Sequence, residues 1–66
     1  MAGMNKHDHE VLRVAAGEDV PGFAWGAVAA VSLEFLKGSG LVKQTGDYYK
    51  ATDKGRELLA ELEGKG

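Results

Sequence analysis

The chain has no cysteine, which excludes disulfides, thiolate zinc sites and thiol nucleophiles. It has one proline, Pro21, and its aromatic side chains amount to one Trp, two Tyr and two Phe. Large apolar residues are scarce as well. Hydrophobic residues make up 44% of the 66, but nine of them are alanine. A chain this short sits near zero net stability by area and entropy alone. What remains can fill one small core and cannot also line a deep substrate cavity, so no enzyme and no small-molecule substrate are expected. The longest uncharged run, Val20 to Leu33, contains Pro21, Gly22 and Gly26 and is too short to span a bilayer. No basic segment leads into an apolar one at the N-terminus, so no signal peptide is expected. The expectation is one small, soluble, cytoplasmic domain without membrane contact or cofactor.

Charge is what the chain does have, and it is unevenly placed. The net charge of −2 divides into −3 over residues 1–36, +3 over residues 37–56 and −2 over residues 57–66. Lys37, Lys43, Lys50, Lys54 and Arg56 supply the basic stretch against Asp47 and Asp53. An anionic partner would be met there.

The pattern of residues predicts helix, connector, helix, hairpin, helix. Residues 1–4 read as a loose tail, or as an added leader before a natural start at Met4. Residues 5–63 form one domain, and 64–66 a loose end. Asn5 is a suitable N-cap, with Asp8 favouring the positive helix end, and the first helix runs from Lys6 to Ala16 before Gly17. Glu18 to Gly22 is a connector in which Val20 can bridge to a sheet, since Pro21 cannot sit inside a helix. The second helix runs from Phe23 or Ala24 to Lys37. At about 100° per residue its broad apolar arc holds Trp25, Val28, Ala29, Val31, Ser32, Phe35 and Leu36. The opposite arc holds Gly26, Ala27, Ala30, Glu34 and Lys37, with Leu33 at its margin. Leu41 to Gln44 and Tyr48 to Ala51 are short strands around a turn at Thr45-Gly46-Asp47. Thr52 caps a last helix from Asp53 to Glu63, whose stripe is Gly55, Leu58, Leu59 and Leu62. A two-stranded hairpin is not stable alone, so this one must join the helices' core.

The stretch from Leu36 through Gly40-Leu41-Val42, a short basic hairpin, and Tyr49 followed by Thr52, Gly55 and Leu58 resembles the wing and following helix of winged helix-turn-helix regulators. The MarR and PadR families show this pattern, here over residues 36–59. The resemblance implies an α+β, compact winged-helix-like domain with a shortened second helix, because only Glu18 to Phe23 separates the first two helices. It implies that the hairpin touches phosphates or the minor groove, a role carried onto Lys43 and Lys50 with Lys54 as helper. The family's base-reading role does not carry over. Direct readout needs Arg, Lys, Asn or Gln at base edges, and the free face of the second helix offers Gly26, Ala27, Ala30 and Glu34.

Two readings of the basic set stand side by side. Lys37, Lys43, Lys50, Lys54 and Arg56 hold a nucleic-acid backbone, with Tyr48 stacking on a base, or the lysines merely blunt an exposed sheet edge. Adjacent strand residues face opposite sides, and the family phase leaves Tyr48 and Lys50 outward with Tyr49 and Ala51 inward. Trp25 is expected in the core beside Val28 and Leu36. On a helix His7 and His9 point about 200° apart, so they share no metal ion, and the acids around them are read as solvated. Gly38-Ser39-Gly40 lacks the lysine and helix of a phosphate loop, and Ser32, Ser39, Asp19, Glu34 and Glu57 form no catalytic set.

The expected function is nucleic-acid binding, on double-stranded DNA, in transcription regulation or an accessory role. The rival is a winged-helix fold used as a protein-interaction or homodimerisation module, its contact strip made of Gly26, Ala27, Ala30 and Leu33.

Overall fold

The computed structural model describes residues 5–64. Among them the order is α1 (Lys6–Ala15), α2 (Ala27–Gly38), β1 (Val42–Thr45), β2 (Tyr48–Ala51) and α3 (Asp53–Leu62). The fold is α+β, with three helices around a two-stranded antiparallel hairpin. Of the tail and loose end expected at residues 1–4 and 64–66, only Gly64 is among the described residues, at φ 73 with its N–H donating to Glu61 O at 3.1 Å, and the rest lie outside them.

α1 begins on a capping box. Asn5 Oδ1 accepts from the Asp8 N–H at 2.9 Å, and the Asp8 carboxylate accepts from the Asn5 N–H at 3.1 Å. Two orphan donors of the first turn are thereby satisfied. Asp8, expected to be solvated, is buried because this box folds it inward. α1 ends at Ala15 with Ala16 as its C-cap, one residue earlier than expected, and Gly17 follows at φ 91. Arg13 Nε reaches Glu18 at 2.9 Å and Glu63 at 3.4 Å, tying the last turn of α1 to the connector and to the end of α3. Its pKa is raised, first by the Glu18 hydrogen bond, so the guanidinium is charged at any working pH.

The connector holds no helix. Phe23 N–H donates to the Val20 carbonyl at 3.1 Å, and Gly22 has φ 78. With Pro21 before it, this is the signature of a type II turn. Val20 makes no bridge to the sheet. α2 therefore starts at Ala27, three or four residues later than expected, after an extended Gly26. Aromatic contacts hold the skipped residues elsewhere. Trp25 meets Phe23 edge-on at 5.0 Å and tilts over Tyr49 at 6.0 Å. It is 52% exposed rather than in the core.

The buried face of α2 is Ala29, Ser32, Leu33 and Leu36. Relative to the arc expected from residue size, it is turned by roughly 70° at about 100° per residue. Val28, Val31 and Phe35 lie outside it, at 55%, 71% and 42% exposure, while Leu33 is only 6% exposed. Leu33 and Leu36 supply the bulk of this face and Ala29 and Ser32 fill the rest of it. Leu33 is thus a core residue and no part of a free contact strip.

α2 ends in a Schellman motif. Leu41 N–H donates to Leu36 O at 2.9 Å, Gly40 N–H to Lys37 O at 3.1 Å, and Gly40 takes φ 77. The reversal delivers the chain to β1. In the hairpin Val42 faces Ala51, Lys43 faces Lys50, Gln44 faces Tyr49 and Thr45 faces Tyr48. Gly46 alone has positive φ in the two-residue turn, as a type II′ hairpin requires.

Thr52 then joins three elements. Its N–H donates to Leu41 O at 2.9 Å, its hydroxyl donates to Gly40 O at 2.7 Å, and its Oγ1 accepts from the Gly55 N–H at 3.1 Å. The hydroxyl both caps α3 and fastens it to the end of α2. Gly55 sits where a Cβ would run into the Leu41 carbonyl and press on a Leu12 methyl. The core is Val11, Leu12, Ala15, Ala29, Leu33, Leu36, Leu41, Val42, Ala51 and Leu59, with Leu58 packed at its edge. Leu62, read as part of the α3 stripe, is exposed because α3 runs past the elements that cover it.

Candidate nucleic-acid interface

The ladder sorts the hairpin into two faces. Successive residues alternate sides, so the register puts Val42, Gln44, Tyr49 and Ala51 on one face and Lys43, Thr45, Tyr48 and Lys50 on the other. Val42 and Ala51 are buried, which makes theirs the core face. Lys43 and Lys50 are direct cross-strand partners, both exposed. Tyr48 is 75% exposed on the same outward face. This is the orientation that strand alternation and the family phase predicted.

α3 adds a third cation. Arg56 and the two lysines line one shallow depression with Ala51, Thr52 and Asp53. A second depression joins Lys50 and Arg56 to Tyr48, Thr45 and the C-terminal end of α1. Lys50 and Arg56 therefore form the ridge between a polar hollow and an aromatic one. Among the described residues Lys43, Lys50 and Arg56 make no ion pair. Like charges directly opposite across a ladder oppose pairing, so Lys43 and Lys50 stand in a local field that an anion would relieve. Asp53, on the rim of the hollow, is the one acid among its lining residues.

Two members of the predicted set are placed elsewhere. Lys37 Nζ donates to Glu34 at 3.4 Å and to Gln44 Oε1 at 3.2 Å, and stands 6.0 Å from the Tyr49 ring centre. It belongs to the core-side edge of the hairpin. Lys54 Nζ donates to Ser39 O at 3.4 Å, complementing the negative end of α2. The structure thus gathers Lys43, Lys50, Arg56 and Tyr48, and sets Lys37 and Lys54 apart.

The face of α2 that a groove-reading helix would present carries no cation apart from Lys37 at its end. Gly26, Ala27, Ala30 and Glu34 are exposed, as expected. Beside them lies an apolar groove walled by Val28, Val31 and Phe35 and closed by Asn5 and Asp8 of the α1 cap. This groove was not anticipated. The signal for it was present, since Ala29, Ser32, Leu33 and Leu36 also make an i, i+3, i+4, i+7 stripe, and only one of two such stripes on a helix can face the core.

His7 and His9 go to different surroundings. His7 borders a hollow with Glu10 and Phe23. His9 Nε2 is buried without a hydrogen-bond partner among the described residues, 3.9 Å from Glu63, a pair that is ionic only with His9 protonated. Among the described residues no three His, Asp or Glu side chains come together as metal ligands would. No described helix is long and apolar enough to cross a membrane.

No family model matches the chain, and no curated protein or solved structure is significantly similar to it. The winged-helix resemblance rests on residues 36–59, and the shortened second helix it implied is absent, since only turns and irregular chain lie between α1 and α2.

Proposed function

We propose that this chain is a cytoplasmic, winged-helix-type nucleic-acid-binding domain in a regulatory or accessory role, and that its hairpin holds the phosphate backbone. The single observation that carries the reading is the trio Lys43, Lys50 and Arg56, exposed around one hollow and making no ion pair among the described residues. Lysine and arginine neutralising phosphates supply most sequence-independent affinity. α2 contributes no base-reading side chain, so binding discriminates little between sequences. Titration of labelled nucleic acid at about 50 mM salt, where such contacts are strong, tests the reading. The wild type should bind, and Lys43→Glu with Lys50→Glu should abolish binding without loss of the thermal transition. A wild type that binds neither duplex nor unpaired strand refutes it.

A second reading has its own observation, the exposed Val28, Val31 and Phe35 of α2. An apolar stripe of this kind marks an interaction surface in other proteins. Here it would bind a protein partner or a second copy. Molecular mass in solution, for the wild type and Val31→Glu, tests the second copy. A dimer that the substitution dissolves supports it, and a wild type that stays monomeric at high concentration opposes it.

A further inference from the structure

We infer that the outward face of the hairpin is a platform for an unpaired nucleic-acid strand, with the ring of Tyr48 stacking on a base while Lys50, Arg56 and Lys43 hold the adjoining phosphates. This rests on the phosphate-binding reading and names its substrate. An unpaired strand presents two things at once, a row of anionic groups and the open π-faces of its bases. A duplex presents the first and hides the second. The platform is built for both. Tyr48 is 75% exposed, faces only Thr45 across the ladder, and borders the same hollow as Lys50 and Arg56. Two residues along a strand span about 7 Å, so Tyr48 and Lys50 are spaced to reach a base and a neighbouring phosphate of one strand. Aromatic rings beside cationic grooves hold single strands in this manner, tolerantly of sequence.

The rest of the molecule argues against a duplex as the preferred ligand. A duplex seated on the hairpin gains its remaining affinity from a helix in the major groove. The exposed surface of α2 is Val28, Val31, Phe35, Ala27 and Ala30 with Glu34, which offers phosphates no cation and base edges no Arg, Lys, Asn or Gln. Among the described residues the Tyr48 ring makes no aromatic or cation contact, whereas the inward Tyr49 meets Trp25 and Lys37.

The test compares three labelled probes of about 12 units, within the usual site sizes: oligo-dT, oligo-rU and a DNA duplex. Each is titrated against wild type, Tyr48→Ala and Tyr48→Phe. The expected result is a strand affinity at least about tenfold above that for the duplex, a loss of roughly tenfold or more on the strand for Tyr48→Ala, and near-wild-type strand binding for Tyr48→Phe. Duplex binding should be unmoved by either change. A preference between dT and rU identifies DNA or RNA as the source, and tight binding of either supports the inference. A duplex bound as tightly as both strands, or a Tyr48→Ala that costs nothing on the strand, overturns it and leaves the phosphate reading standing. Failure of all three probes overturns both. Tyr48 lies outside the core, so its variants should keep the wild-type thermal transition, and circular dichroism checks that they do.

Discussion

At the scale of single residues, the positions that punctuate the chain are the ones whose roles could be read directly. Asn5 with Asp8, Gly17, Gly46 and Thr52 each answer a local need: an orphan N–H, a helix exit, a hairpin twist. Such needs depend on neighbours in sequence, which is why they are legible there. Gly55 is a sharper case. The sequence says only that its helix lies close to something, and the structure shows that the something is the Leu41 carbonyl. Replacing a helical glycine by alanine ordinarily stabilises by up to about 1 kcal/mol. Here the added methyl would push α3 off backbone that Thr52 also ties down, an overpacking cost of about 1–3 kcal/mol. Gly55→Ala should therefore lower the melting temperature despite its better helix propensity. A melting temperature equal to or above the wild type's would show that the contact is looser than this geometry requires.

At the scale of elements, α2 shows what a wheel diagram cannot decide. Both of its apolar stripes have helical spacing. Choosing the larger residues for the core assumes enough surrounding chain to cover them. In a molecule of this size α1 and the hairpin cover one stripe, and the covered one is Ala29, Ser32, Leu33 and Leu36. Trp25 lies outside the core for a related reason. Its ring found partners in Phe23 and Tyr49, which kept it off the helix altogether. Two substitutions separate the stripes. Leu36 is fully buried, so Leu36→Ala should cost about 2–5 kcal/mol. That is a large share of the stability of so small a domain. Val31→Glu, on the stripe expected to be core, should change stability by about 0.5 kcal/mol or less. Urea denaturation of the two variants decides the matter. A Val31→Glu that unfolds the domain would restore the size-based wheel.

At the scale of the whole molecule, the question is how a chain of net charge −2 holds a polyanion. The long-range field is unhelpful, but it is screened within about 10 Å at 0.1 M salt. What acts at contact is the local arrangement. Strand alternation with the family phase put Tyr48 and Lys50 on the outward face, and the observed register adds Lys43 to it. Arg56 was named with the basic stretch, but that it stands beside Lys43 and Lys50 while Lys37 and Lys54 do not was not legible, because this depends on how α3 folds back and on which acceptors the ends of α2 bring within reach. The salt dependence of binding turns that difference into a measurement. Three phosphate contacts imply a log–log slope of roughly −2 on an unpaired strand and roughly −3 on a duplex. Lys43→Gln removes one contact and should reduce the slope by about 0.7 on an unpaired strand and about 0.9 on a duplex. Lys37→Gln removes the same charge from the same basic stretch, yet its ammonium is already engaged by Glu34 and Gln44, so the slope should stay as it was. Measured side by side, the two variants have equal net charge, and any difference between them reports contact rather than field. Equal reductions in slope would mean that the basic stretch acts as a diffuse cloud, and that the face built by Lys43, Lys50 and Arg56 is not where the phosphates sit.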